Sequence, residues 1–184
     1  MGILSWTWFV GVVLLLGYAA IRYLRFRKNV QASIRIRDGI YVCDNIRTPF
    51  ILGVIRPGIY LPSDMDEVQT DNVIAHERAH LSRLDQVWKP LGYCLLAVYW
   101  FNPLCWLFLK KFLADLELSC DERVLAKLGA DRAKEYASSL LESRQGATVF
   151  VSAFGGAKIR TRIKNILSFK KLTWFSFMVF VALI

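Results

Sequence analysis

Hydrophobic positions in this chain fall in blocks, and the blocks predict most of its elements. Residues 3–21 carry no charge and are rich in Val, Leu, Phe and Trp. Such a run is long enough to cross a bilayer core of about 30 Å. A signal peptide would begin with basic residues and end in a polar cleavage region. Here Arg22, Arg25, Arg27 and Lys28 follow the apolar run instead. Residues 1–24 therefore read as a transmembrane helix whose cytosolic side begins at Arg22. Over 31–62 the period changes to two. Ser33 to Arg37 alternates, Asp38-Gly39 supplies a turn, and residues 40–43 form the return strand. Residues 50–55 and 58–61 follow, joined by Arg56-Pro57. The expectation is a small antiparallel sheet of three or four short strands, with Pro57 and Gly58 marking an edge strand.

Helical signals begin at Ser63. Ser63 is the expected N-cap, with Asp66 three residues on and acids crowding the first turn. That helix is expected to reach about Val87, with Asp85 and Lys89 pairing on its surface. Residues 91–109 are again uncharged, but Asn102-Pro103 interrupts them. Leu116, Cys120, Val124 and Leu128 then repeat every four residues, and Gly129 closes a helix over 114–129. Another helix is expected over 130–142 and a small polar linker over 145–157. Residues 158–171 form a basic juxtamembrane segment. The uncharged residues 172–184 are too few to cross a bilayer and read as the start of a truncated transmembrane helix.

Composition sharpens the membrane reading. Of 184 residues, 55% are hydrophobic, yet the net charge is +9. Both values together imply segregation along the chain, as in membrane proteins. One basic cluster comprises Arg22, Arg25, Arg27, Lys28, Arg35 and Arg37. The other comprises Lys158, Arg160, Arg162, Lys164, Lys170 and Lys171. Each abuts an apolar segment, which favours cytoplasmic flanks over direct nucleic-acid binding, and no helix-turn-helix pattern supports the latter. Cys43, Cys94, Cys105 and Cys120 show no metal or disulfide spacing and read as thiols in a reducing compartment. Between two cytoplasmic flanks the chain must cross an even number of times. Residues 90–111 are therefore expected to double back at Asn102-Pro103 as a re-entrant or membrane-associated helical hairpin. A buried helix pair inside a soluble domain is the alternative.

The chemistry centres on Ala75-His76-Glu77-Arg78-Ala79-His80, which contains H-E-x-x-H and uses both histidines of the chain. On a helix His76 and His80 share a face and can grip one metal ion, while Glu77 points beside it toward water. A third ligand must be a carboxylate or a cysteine, because no histidine is left. Glu117-Leu118-Ser119-Cys120-Asp121 offers Glu117 and Asp121 on one helix face. It resembles the glutamate-zincin arrangement, in which a downstream Glu is the third ligand and an acid four residues later supports a ligand histidine. A single crossing at 91–109 would put Glu117 on the wrong side of the membrane. A turn at Asn102-Pro103 brings it back, since about 14 helical residues return about 21 Å.

Taken with Thr48-Pro49-Phe50, with Arg56-Pro57-Gly58-Ile59-Tyr60-Leu61-Pro62, with Arg83 and Asp85, and with Phe101-Asn102-Pro103-Leu104-Cys105-Trp106, these blocks resemble the BlaR/MecR-type integral-membrane zinc metallopeptidases, bacterial antirepressor sensor-transducers. The resemblance implies an α+β membrane protein, mainly α, with a cytosol-facing gluzincin domain (25–157) between transmembrane helices of the bacterial cytoplasmic membrane. It implies Zn2+ on His76, His80 and Glu117, with Glu77 as base and Asp121 behind a histidine. It also implies an extracellular sensor region after the last helix, and loss of a transcriptional repressor once the peptidase is active. The further membrane helices usual before the first one, and the sensor, are not in this sequence, so β-lactam sensing does not carry over. With no spare histidine, Tyr136 or Arg132 is expected to face the oxyanion. An extended substrate is expected to pair with the sheet edge near Val54, Ile55 and Tyr60. The competing functions are a membrane quality-control zinc protease and a non-catalytic membrane receptor or anchor with a structural metal. The intact Glu77 argues against the last.

Overall fold

The computed structural model describes residues 2–144 and 159–169. The expected linker over 145–157 and the apolar stretch over 172–184 lie outside the described residues, as do the basic positions 158, 170 and 171. The chain opens with α1 (Ile3–Asn29), continues through β1 (Ile34–Arg37), β2 (Ile40–Val42), β3 (Phe50–Leu52) and β4 (Gly58–Leu61), and then becomes helical. The later helices are α2 (Glu67–Ser82), α3 (Asp85–Val98), α4 (Pro103–Leu128), α5 (Ala133–Arg144) and α6 (Ile159–Leu167), with a single 3-10 turn at Ala130–Arg132 before α5.

Helix α1 has no buried residue. Among the described residues it is the helix long and apolar enough to cross a membrane. An apolar helix with no polar face suits a non-aqueous surrounding. It touches the rest of the molecule near the α3–α4 turn. The Trp8 indole donates to the Val98 carbonyl at 2.8 Å, and the Trp100 indole donates back to the Trp8 carbonyl at 3.3 Å. Gly11 lets the Trp100 ring approach: a Cβ there would sit 2.4 Å from it.

The sheet is mixed, with strand order β1-β2-β4-β3. β1–β2 and β3–β4 are antiparallel, but β2 and β4 run parallel. This corrects the expected antiparallel sheet. Gly39, at φ 72°, turns the first hairpin as the sequence predicts. After β2, however, the chain loops out, and β4 inserts beside it rather than β3. Gly58 permits the insertion, because a Cβ there would lie 2.8 Å from the Tyr41 ring. Tyr41, Tyr60 and Phe50 then stack across three strands, at 5.0 and 5.6 Å between centroids. The opposite face carries Ile40, Ile59 and Leu61 onto Val73 and Ile74 of α2. Pro57 precedes the strand, where its missing N–H costs no ladder bond. The edge strands are therefore β1 and β3. Tyr60 lies in the interior β4, and the exposed Val54 and Ile55 lie in the turn after β3.

Two helix boundaries also differ from expectation. Asp66, not Ser63, caps α2: its carboxylate accepts from the Gln69 amide at 2.7 Å. The helix ends at Ser82, because Leu84 adopts a left-handed conformation (φ 59°) and α3 sets off in a new direction. A non-glycine residue there costs of order 1 kcal/mol, which the contacts of Asp85 described below offset. Helices α3 and α4 form a hairpin. Asn102 caps α4 by accepting from the Leu104 amide at 2.9 Å, and Pro103 opens its first turn. The second arm does not stop at the end of the apolar run. Helix α4 continues for 26 residues, so one rigid rod joins the apolar tip to Glu117 and Asp121. The main core lies where α2, α4, α5 and α6 meet, around Cys120, Val124, Leu125, Tyr136, Leu140 and Ile166. Asp66→Ala is expected to lower unfolding stability by about 1 kcal/mol, and Ser63→Ala by less than about 0.5 kcal/mol; denaturant melts of the detergent-purified protein compare the two.

Candidate metal centre

His76 and His80 lie on the buried face of α2, 5% and 3% exposed. Their rings meet edge to face, and their Nε2 atoms approach to 3.1 Å. Each imidazole is held from its other nitrogen. His80 Nδ1 lies 2.6 Å from Asp85 Oδ2. His76 Nδ1 lies 2.8 Å from the Tyr136 hydroxyl, which donates to Asp121 Oδ1 at 2.8 Å, and 3.3 Å from that carboxylate directly. A carboxylate can only accept, so Nδ1 of His80 is the protonated nitrogen. With its proton on Asp121, the Tyr136 oxygen accepts from His76 Nδ1 in the same way. Both Nε2 lone pairs are thereby left facing one point.

Glu117 completes that point from α4. Its two oxygens lie 3.6 Å from His76 Nε2 and 3.5 Å from His80 Nε2. A tetrahedral ion with bonds of about 2.1 Å separates its ligand atoms by about 3.4 Å. The three side chains thus fit a divalent metal of the zinc type, and they form one of two such groups among the described residues. The other shares His80 and adds Asp85 and Cys120. Burial, and then the Asp85 charge, push the Cys120 thiol up to about 12. That disfavours the thiolate, the form that binds metal.

The electrostatics follow from burial. Burial alone would raise the Glu117 carboxyl, but His76, Lys89 and Arg162 hold it well below the usual carboxylate range. Burial likewise opposes ionisation of Asp121, and its bonds to Arg162 and His76 outweigh that, bringing it to about 2. Asp85 is also lowered, with His80 overcoming the cost of burial. Glu77, 9% exposed, opens with His76, His80, Glu117 and Arg162 onto a cavity of about 270 Å³. Thr48, Pro49, Phe50 and Ile51, on and before β3, form another wall of it.

The structure brings His76, Glu77, His80, Glu117 and Asp121 together. Tyr136 is present in another capacity. Its hydroxyl sits on the Nδ1 side of His76, 1% exposed, and does not line the cavity, so it cannot face an oxyanion there. Arg132 is exposed, pairs with Glu135 and also lies off the cavity. Val54, Ile55 and Tyr60 do not line it either, and β3 takes that position.

Three contributors lacked a sequence signal strong enough to be read. Asp85 was expected at the surface, paired with Lys89. It is 1% exposed and belongs to His80, while Lys89 pairs with Glu117 Oε1 at 3.4 Å. Arg162, counted among the basic flank, is fully buried on α6. Its Nε and Nη2 form a fork on Asp121 at 2.7 and 2.6 Å, and Nη1 lies 3.1 Å from Glu117 Oε2. One trace of this exists in the sequence. Ile159, Arg162, Ile163 and Ile166 follow helical spacing, so the arginine stands in the apolar stripe.

Comparison with known proteins gives the same picture at family level. A family model described as BlaR1 peptidase M56 matches residues 1–167. The regulatory protein BlaR1 of Bacillus licheniformis is 29% identical over 193 residues, covering 89% of this chain and 32% of that protein. The methicillin resistance mecR1 protein of Staphylococcus aureus is 28% identical over 102 residues, covering 53% of this chain and 17% of that one. The chain spans about a third of the BlaR1 relative's length and less of the other. With the family model matched from the first residue to the end of α6, the chain belongs to the BlaR1 peptidase M56 family, of BlaR/MecR type.

Proposed function

We propose that this chain is a zinc-dependent endopeptidase of a membrane signal-transducing system, cleaving a cytosolic protein such as a transcriptional repressor. The observation that carries the reading is the convergence of His76 Nε2, His80 Nε2 and Glu117 beside Glu77 in one cavity. A metal site that only stabilised the fold would need neither the cavity nor Glu77.

Zinc on His76, His80 and Glu117 would supply Lewis acidity, which eases ionisation of water and polarises a carbonyl. The protein's own residues do the rest. Asp85, and Asp121 through Tyr136, hold the imidazoles in the orientation that turns Nε2 toward the metal point. Glu77 takes a proton from the attacking water and delivers it to the departing amine nitrogen. The unpaired edge of β3 is the place for an extended substrate, which would add as a strand and run past Glu77.

The membrane assignment rests on three features. Helix α1 carries no charge until Arg22. The α3–α4 tip exposes Leu91, Leu95, Phe101, Leu104, Leu107 and Phe108. Tryptophans tie the two together. In this reading the hairpin dips into the lipid alongside α1, and Arg25, Arg27 and Lys28 keep the catalytic side in the cytosol of a bacterium. The repressor and the extracellular sensor come from the family resemblance. They are consistent with the word "regulatory" in the name of the Bacillus relative.

Metal analysis and cleavage of a quenched peptide library test the assignment together. Purified wild type should carry one zinc per chain and cleave peptides, and chelation should abolish cleavage. His80→Ala should lose the metal. Glu77→Gln should keep it and lose at least about 100-fold in kcat. A metal-free wild type, or undiminished cleavage by Glu77→Gln, defeats the proposal. Asp85→Ala should retain the site but weaken zinc about 10- to 100-fold, measured by competition with a chromogenic chelator; an unchanged affinity means Asp85 does not act through His80.

A further inference from the structure

We propose that Arg162 is the residue that meets the substrate's carbonyl oxygen, the function that Tyr136 and Arg132, which do not line the cavity, cannot serve. This rests on the peptidase reading above. Arg162 is fully buried and lines the catalytic cavity. Two of its nitrogens are committed: Nε and Nη2 grip Asp121 in a fork. The third, Nη1, makes no aligned hydrogen bond to any described residue, although it lies 3.1 Å from Glu117 Oε2. Nη2 also reaches within 3.3 Å of His76 Nε2. The guanidinium therefore stands against two of the three residues that converge on the metal point, with Nη1 outside the Asp121 fork and without an aligned hydrogen bond.

A buried donor without a partner is costly, and a fixed one beside a reacting carbonyl is what stabilises developing negative charge. The fork on Asp121 fixes the plane of the guanidinium, so the direction of Nη1 is set before substrate arrives. In peptide hydrolysis the carbonyl carbon gains a bond to the water oxygen and loses its bond to nitrogen. The proton released from water passes through Glu77 to the amine. Arg162 keeps its own protons throughout and only donates a hydrogen bond to the carbonyl oxygen as charge builds there. An arginine suits this position because it stays charged in a buried site, where a lysine would shed its proton more readily.

The test compares Arg162→Lys with wild type in the full, zinc-loaded chain. Lysine can keep one ammonium on Asp121 but cannot also reach the Nη1 position. The probes are the best-cleaved peptide from the library and its phosphonate analogue, whose tetrahedral oxygens imitate the reacting carbonyl. Arg162→Lys should keep its zinc affinity and thermal midpoint. Its kcat should fall about 100-fold with KM changed less than about threefold, and the phosphonate should bind more weakly by a comparable factor. Because removing the cation outright strands Asp121, the neutral comparison is the double variant Asp121→Asn with Arg162→Met, expected to lose phosphonate affinity to the same degree as Arg162→Lys. Undiminished kcat in a zinc-loaded Arg162→Lys overturns the inference alone. So does a loss of kcat that follows zinc affinity while the phosphonate binds the loaded protein unchanged, since Arg162 would then act only by positioning Glu117. A wild type without zinc or proteolysis overturns the peptidase reading, and this inference with it.

Discussion

Four buried carboxylates, those of Glu77, Asp85, Glu117 and Asp121, crowd around two histidines, and the balancing of their charge constrains everything near them. Ionised carboxylates away from water are tolerable only when paired or bound to metal. Arg162 answers Asp121 and part of Glu117, and Lys89 sits at the rim of Glu117. Asp85 and Asp121 also draw on the histidines, which fixes where the imidazole protons lie. Arg83 also lies 3.8 Å from Asp85, and the Glu117 oxygens are left facing the same point as both Nε2 atoms. A divalent cation held there would balance them, and the ligand geometry suits the same occupant. Removing one member of a buried pair in such a cluster typically costs about 3–5 kcal/mol, so the supporting residues are as constrained as the ligands.

The long-range part of the architecture serves this cluster. Glu117 and Asp121 come from α4, some forty residues after the histidines, and reach them because the chain turns between α3 and α4. Since α4 is one unbroken rod, it joins the apolar tip directly to Glu117. The break at Leu84 acts at shorter range. Had α2 run on to Val87, Asp85 would have followed the helical path five residues beyond His80, about 140° round the axis at roughly 3.6 residues per turn. The left-handed residue turns the chain so that Asp85 meets His80 Nδ1 instead.

What was legible in the sequence was local. Two histidines four apart, a break at Asn102-Pro103, a glycine after a helical repeat and an alternating pair of strands each declare themselves within a few residues. The turn before Pro103 and the Gly39 and Gly129 positions fall where those signals lie. The E-L-S-C-D block was legible once the histidines demanded a third ligand. Illegible were the features decided by tertiary contact. The strand order depends on where β4 finds room beside Tyr41, which no strand propensity encodes. The choice of Asp66 over Ser63 as cap depends on where the sheet releases the chain, one turn being enough to exchange two plausible caps. Tyr136 was named because no histidine is spare for the oxyanion, but its hydroxyl reaches the back of His76 and not its front.

Arg162 shows why charge clusters mislead. Counted with its neighbours it looks like one more cation at a membrane surface, and Arg160 and Lys164 are indeed exposed. A helix, however, gives residues two apart different faces, so a cluster on a line is not a cluster in space. On α6 the inward stripe places Arg162 and Ile166 together against the core, the first on Asp121 and the second among Cys120, Tyr136 and Leu140. The match to the family model extends to residue 167 and so takes in both. The folded body around the site therefore does not end with α5. It includes α6, whose buried cation lies against Glu117 and Asp121, and a segment that composition alone would assign to a membrane flank is part of the wall of the site.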